Sequence, residues 1–332
     1  MADRKDKLAI VRFCRDYHDV LDADFLRDFP EVEARKPNSV AELEAAIPGA
    51  EVLHINDSFF TPEVARVLAA HGGALRWIQF TTVGTDHAQA AGLPPRVRIT
   101  NIGDVRQRIL AGHAIGLMLA AMRGYTFFEP WRARHEWARD EMSARALAPD
   151  GNRMVIFGMG RLGQDIARKA KAFDMEVTCV TRTATPACPW IDRVVARERR
   201  MEVLPEADAV MIALPLDDGT RGLIGAGELA AMKPTAVLVN VSRGPVVDEA
   251  ALIAALRAGT IRAAGLDAFE DEPLPADSGF WDLPNLVMTP HIGGQGGEDQ
   301  WLGLSLLVRD NTRRYLDGQP LINVIREPMA GA

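Results

Sequence analysis

The stretch Met154-Val-Ile-Phe157-Gly158-Met159-Gly160-Arg161-Leu162-Gly163 decides how the chain is read. Four apolar residues suited to a buried strand run into a G-x-G-x-x-G, and residues 162–173 continue as a helix. A second apolar strand, residues 177–180, follows Asp174. In such a unit the first glycine makes the turn, the second lets phosphate approach the backbone, and the third brings helix against strand. The helix N-terminus then faces the anion. The motif predicts a dinucleotide site in which Gly158, Met159, Gly160, Arg161, Leu162 and Gly163 surround the pyrophosphate.

The end of the second strand refines this. NAD sites usually carry Asp or Glu there, accepting hydrogen bonds from the ribose hydroxyls. Here the slot reads Thr181-Arg182-Thr183, without an acid. A carboxylate would repel a 2′-phosphate, whereas a guanidinium binds one through charge-assisted hydrogen bonds. The sequence therefore points to NADP(H) as the preferred cofactor, with NAD(H) as the alternative.

Outward from the turn, short apolar strands are expected at residues 154–157, 177–180, 209–214, 236–241, 263–266 and 286–288. Helical segments at 162–173, 227–232 and 249–258 separate most of them. Such alternation implies a parallel sheet covered on both faces. Upstream, strands at 8–13, 52–55, 77–80 and 97–100 alternate with helices, one opening at Thr61-Pro62-Glu63 with a cap and a first-turn proline. Residues 108–123 form a long helix, apolar nearly all round and so expected to be buried between layers. Residues 301–316 read as an amphipathic helix, and 320–325 as a last strand or edge cover that returns to the first domain.

The bulk numbers bound the function. A chain of 332 residues accommodates two domains, and 48% hydrophobic with 25% charged residues is ordinary globular composition. A net charge of −7 argues against a nucleic-acid partner. The basic runs at 131–139 and 197–201 are interrupted by acids and read as solvated helix faces. The charged start lacks an apolar leader, and no apolar run reaches about 18 residues, so no membrane association is expected. Cys14, Cys179 and Cys188 are odd in number and have no metal-like spacing. A reducing, cytoplasmic setting without a metal is expected.

Three late strands run into charged residues. They lead to Ser242-Arg243-Gly244-Pro245, to Asp267-Ala-Phe-Glu270-Asp-Glu272-Pro273, and to Thr289-Pro290-His291-Ile-Gly-Gly294. Ligands of doubly wound sheets bind beyond the carboxyl ends of the strands. An arginine, an acid cluster and a histidine on the rim of the glycine turn suit the reduction of a 2-oxo acid. A cation holds the carboxylate and polarises the ketone, and a general acid protonates the oxygen. A carboxylate beside the histidine keeps it protonated.

The stretch from Val237 to Leu252, Gly265-Leu-Asp-Ala-Phe-Glu-Asp-Glu-Pro-Leu-Pro275 and Thr289-Pro-His-Ile-Gly-Gly294 strongly resemble the signatures of the D-isomer-specific 2-hydroxyacid dehydrogenases. The likeness reaches upstream to Val83-Gly-Thr-Asp-His87 and Ala111-Gly-His113. It implies that Arg243 binds the substrate carboxylate and carbonyl and that Glu272 pairs with His291, the general acid–base. Asp267 would hold the nicotinamide carboxamide, with Leu214, Pro215, Val241 and His291 also on the cofactor side. The backbone amides of Val83 and Gly84 would take the substrate carboxylate from the first domain.

The implied fold is α/β, with two doubly wound parallel-sheet domains. A discontinuous, flavodoxin-like substrate domain comprises residues 1–102 and 295–332, and a Rossmann-type NAD(P) domain residues 103–294. The resemblance also implies a homodimer, with an irregular stretch around residues 125–149 as its dimerisation arm. Gly112 departs from the family's frequent glutamate, and the basic approach Asp104-Val-Arg106-Gln-Arg108 meets either cofactor phosphates or only protein. Thr181-Arg182-Thr183 and the Val83–His87 loop are most similar to the glyoxylate/hydroxypyruvate reductases. The alternatives are an NAD-dependent dehydrogenase of a larger D-2-hydroxy acid and a nicotinamide-nucleotide-sensing interaction protein of the same fold. A formate dehydrogenase fits poorly, because its usual glutamine beside the histidine is missing.

Overall fold

The computed structural model describes residues 7–14, 25–182 and 188–329, with the side chains of 297–300 left out. Thr183, expected beside the cofactor, lies outside the described residues. The chain divides into two compact units, residues 1–106 with 297–332, and residues 107–296.

The first unit is built on strands β1 (Leu8–Phe13), β2 (Val32–Arg35), β3 (Val52–Ile55), β4 (Trp77–Phe80) and β5 (Arg98–Thr100). They pair in parallel in the order β2-β1-β3-β4-β5, the flavodoxin-like order. β1, β3 and β4 are buried along their whole length, as expected for strands covered on both faces. The sequence reading missed β2 because it is short and only Val32 is buried.

Cross-strand register sets Arg12 against His54, His54 against Gln79 and Gln79 against Thr100. This polar row is fully buried. Trp77 Nε1 donates to Thr100 Oγ1 (2.7 Å), which donates to Gln79 Oε1 (2.8 Å). Asn311, from the helix Gly297–Leu316, donates to the same Gln79 oxygen at 3.0 Å. Leu304 and Val308 of that helix complete a core with Leu8, Ile10, Val52 and Trp77.

The second unit carries a seven-stranded parallel sheet. Its strands are β6 (Arg153–Phe157), β7 (Glu176–Thr181), β8 (Arg193–Ala196), β9 (Ala209–Ile212), β10 (Val237–Asn240), β11 (Ala263–Leu266) and β12 (Leu286–Met288). They lie in the order β12-β11-β10-β9-β6-β7-β8, so the connection reverses direction between β6 and β9 and opens a crevice there. The helix Gln107–Arg123 buries Ala111, Ala114, Leu117 and Met118 in one of the unit's two cores, with Ile156, Ile166 and Val239. Gly265 admits it closely: a Cβ there would stand 2.9 Å from Leu117 Cβ. Gly112 lies on the open side with no heavy atom near its would-be Cβ. The stretch 125–149 is less irregular than its composition suggests, since it holds the helices Tyr125–Ala133 and Arg139–Arg145. Pro130 inside the first of them masks the helical pattern.

Strand β13 (Val324–Arg326) pairs antiparallel with β5 and closes the edge of the first sheet. Arg106 lies over the ring of Trp301, 5.6 Å from its centroid, so this arginine packs within the first unit. No described helix is long and apolar enough to cross a membrane.

Candidate active site

The glycine turn leaves β6 as the motif demands. Gly158 has φ 111°, and a Cβ there would meet the Ala213 carbonyl oxygen at 2.3 Å. A Cβ on Gly163 would stand 2.0 Å from the Gly158 oxygen, so helix and strand are in backbone contact. At Gly160 a Cβ would find open space. Gly160 caps the helix Arg161–Ala170 without any side-chain cap, leaving the positive end of the helix to an anion. A pyrophosphate therefore fits the turn. Met159 is buried and Leu162 packs on the core, so both would meet it through the backbone.

Beyond the ends of β7 and β9, Arg182 extends a largely exposed guanidinium to 3.7 Å from Asp217 Oδ2. Thr181 is half-buried, Leu214 and Val241 are buried, and Pro215 is exposed. The sequence reading missed Asp217, an acid that a different strand-end loop brings beside Arg182.

At the end of β10, the buried Asn240 builds the turn that presents Arg243. Its Oδ1 accepts from Ser242 N (3.0 Å) and Ser242 Oγ (2.9 Å), and its Nδ2 donates to the Arg243 carbonyl (2.9 Å). Gly244 lies against the next loop, where a Cβ would fall 1.9 Å from Phe269 C. Only glycine lets these two loops meet.

The acid cluster after β11 separates by geometry. Glu272 Oε2 lies 2.7 Å from His291 Nδ1, and its Oε1 accepts from Phe269 N at 2.9 Å. Glu270 instead lies 3.6 Å from Arg221. The Glu272 hydrogen bond, against the opposing effect of burial, holds the His291 pKa above its ordinary value. Burial raises the Glu272 pKa, but the bonds from His291 and Phe269 outweigh it and hold the carboxyl low. Both shifts favour the imidazolium–carboxylate form of the pair.

Asp267, 1% exposed, supports the histidine loop. Its Oδ1 accepts from Thr289 Oγ1 (2.7 Å) and Ile292 N (2.9 Å), and its Oδ2 from Gly293 N (2.8 Å). These bonds hold the backbone in which His291 takes φ 52°, a left-handed conformation costly for a non-glycine residue. Burial alone would raise the Asp267 pKa, but hydrogen bonds from His113, Thr289, Gly293 and Ile292 bring it below its ordinary value. His113 Nε2 lies 2.9 Å from Thr289 Oγ1 and 3.5 Å from Asp267 Oδ1. The Thr289 hydroxyl donates to the carboxylate, so it accepts from His113, whose Nε2 carries the proton. Ala111-Gly112-His113 was legible as a motif, but its contact with Thr289 spans 176 positions and leaves no local signal.

In the first unit, the carbonyls of the Val83–Gly84 loop are engaged. Asn101 Nδ2 donates to Val83 O (2.7 Å) and Thr82 Oγ1 to Gly84 O (2.9 Å). The amides of Val83 and Gly84 meet no acceptor among the described residues. Also among the described residues, no three His, Cys, Asp or Glu side chains are grouped to hold a metal.

A sequence profile described as "D-isomer specific 2-hydroxyacid dehydrogenase, NAD binding domain" matches residues 115–293. The chain is 35% identical to glyoxylate/hydroxypyruvate reductase B of Citrobacter koseri over 267 residues, 77% of this chain and 80% of that protein. It is 32% identical to D-3-phosphoglycerate dehydrogenase of Methanocaldococcus jannaschii over 311 residues; this spans 91% of the chain but only 57% of that longer protein. A crystal structure of a D-isomer specific 2-hydroxyacid dehydrogenase family protein from Aeromonas salmonicida superposes with a TM-score of 0.84 at 28% identity. That superposition covers 96% of this chain and 99% of the other.

Proposed function

Since the chain belongs to the D-isomer specific 2-hydroxyacid dehydrogenase family, we propose that it reduces small 2-oxo acids to D-2-hydroxy acids. It is an NAD(P)-dependent oxidoreductase; glyoxylate and hydroxypyruvate are the substrates we assign, with NADPH as the preferred cofactor. The observation that carries the reading is the 2.7 Å contact between His291 Nδ1 and Glu272 Oε2. It favours the cationic imidazole and leaves Nε2, which meets no partner among the described residues, to act as the acid.

A nicotinamide cofactor, when bound, would supply the hydride that reduces the carbonyl carbon. Arg243 holds the substrate carboxylate and polarises the ketone, and His291 passes its Nε2 proton to the oxygen as negative charge develops there. Glu272 keeps the imidazole charged and oriented. Asp267 holds the loop around His291 with three hydrogen bonds, and its carboxylate would also take the nicotinamide carboxamide. In the first unit, the Val83 and Gly84 amides, which meet no acceptor among the described residues, are suited to bind a carboxylate.

For the cofactor, Arg182 carries the NADPH reading and Asp217 favours a second one. A 2′-phosphate competes with Asp217 for the guanidinium, whereas in NADH the same acid is available to the ribose hydroxyls. Following NADPH and NADH oxidation with a panel of 2-oxo acids tests both. Arg182→Ala is expected to raise KM for NADPH at least about tenfold, the range of a charged hydrogen bond, with little change for NADH. Equal effects on both cofactors would reject the 2′-phosphate role.

We assign the protein to a cytoplasmic setting, in keeping with its free cysteines, and to small acids rather than nucleic acid or membrane. Its assembly is read as a homodimer, supported by Tyr125 (62% exposed) and Trp137 (87% exposed) on and beside the helices of the 125–149 stretch.

A further inference from the structure

The second sheet has an opposite end. Its strands run in parallel, so the residues that enter β11 and β12 lie away from Asp267 and His291, which leave them. A pocket of about 450 Å³ opens there, and Phe127, Arg145, Arg257, Arg262, Asp282 and Asn285 are among its lining residues.

The charge in this pocket is unbalanced. Nε and Nη2 of Arg262 are shielded from solvent and meet no hydrogen-bond acceptor among the described residues. The Arg145 guanidinium lies over the face of Phe127, 4.6 Å from the ring centroid. Among the described residues none of Arg145, Arg257 and Arg262 has an ion-pair partner, although Asp282 contributes one negative charge to the rim. Burial, and then the like charge of Arg145, hold the Arg262 pKa below its ordinary value. A guanidinium does not deprotonate in proteins, so its buried donors call for an acceptor.

The pocket is also preorganised. Asn285 Nδ2 donates to the carbonyls of Leu256 (3.0 Å) and Arg262 (3.1 Å), fixing the backbone that carries two of the arginines. Thr126 Oγ1 donates to Pro284 O at 2.9 Å and ties down the wall that bears Phe127. Volume and charge together exceed what chloride or a single carboxylate would use.

We propose that this pocket is a second anion site, distinct from the glycine turn, for a small ligand with two or more negative charges of the phosphate or polycarboxylate kind. Arg262 supplies the buried forked donor, and Arg145 and Arg257 close over the ligand from the rim.

Calorimetric titration of the full chain with inorganic phosphate, and separately with citrate, at constant ionic strength tests this. Saturable binding of one equivalent is expected for at least one probe, and which probe binds identifies the anion class. Arg262→Gln is expected to weaken it at least about tenfold, the loss of a charged hydrogen bond. The exposed Arg145→Gln should do the same and keeps the test decisive if Arg262→Gln fails to fold. Arg182→Ala should leave it unchanged. Absence of saturable binding with both probes, or binding indifferent to both arginine variants, overturns the proposal. So does binding abolished by Arg182→Ala, since the anion would then sit at the cofactor turn.

Discussion

His291 and His54 show one residue type driven in opposite directions by its surroundings. Glu272 raises the His291 pKa above its ordinary value, so the reductive reaction should lose rate as pH rises through that raised pKa. Oxidation of the hydroxy acid, which needs the neutral base, should gain over the same window. Glu272→Gln removes the main cause and is expected to move the alkaline limb of kcat/KM to lower pH. His291→Ala should cut turnover by about 10²–10⁴-fold, the usual worth of a general acid, while cofactor binding persists. His54 is fully buried, its ring nitrogens meet no partner among the described residues, and burial followed by the nearby Arg12 charge lowers its pKa to about 3. The folded state keeps it neutral while the unfolded chain protonates near pH 6.5. Its contribution to stability is thus present above pH 6.5 and is lost as pH falls toward 3, by about 1.4 kcal/mol per pH unit. Denaturant melts across this range should flatten in His54→Leu; an unchanged pH slope would show that His54 does not govern it.

The glycines of the first βα element divide by what surrounds them. At Gly163 an added methyl meets backbone at 2.0 Å, whereas at Gly160 it meets nothing. Gly163→Ala should therefore destabilise the unit by about 1–3 kcal/mol, the cost of overpacking. Gly160→Ala should melt like the parent and lose NADPH affinity, because its methyl occupies the phosphate approach. Thermal melts alongside cofactor fluorescence separate the two. Elements with regular apolar patterns were legible from sequence: Leu8–Phe13, Ala263–Leu266 and Glu249–Ala258 have the expected limits. The edge strands β2 and β8 were not, since β2 buries only Val32 and β8 only Val195 and both read as loop, whereas the edge strand β12 was expected at its observed limits. The Arg243, Glu272 and His291 stretches announced themselves by charge at strand ends. Support from His113, Asn240 and Thr289 did not, because hydrogen bonds between distant segments leave no periodicity.

On the scale of the whole molecule, the two units differ in how the chain makes them. Residues 107–296 form one unit without interruption, while the other needs both ends of the chain. Removing everything after Gly296 strips Leu304, Val308 and Leu321 from the first unit's core and Asn311 from its polar row. Hydrogen exchange on that truncated chain should find residues 7–106 unprotected and 107–296 still protected. Retained protection in both would contradict the division. Trp77, stacked on Tyr315 at 5.4 Å between ring centroids, offers a fluorescence readout of the same loss.

That interruption sets an order of events during synthesis. The early strands leave the ribosome with one sheet face bare, and the helix that covers it ends only at Leu316. At roughly 5–20 residues per second, the stretch between Arg106 and Leu316 takes about 10–40 s to translate. The middle of the protein can finish folding in that interval, while the beginning must wait, apolar face exposed, for the end. Nascent chains of this protein should therefore depend on chaperones throughout the interval between Arg106 and Leu316.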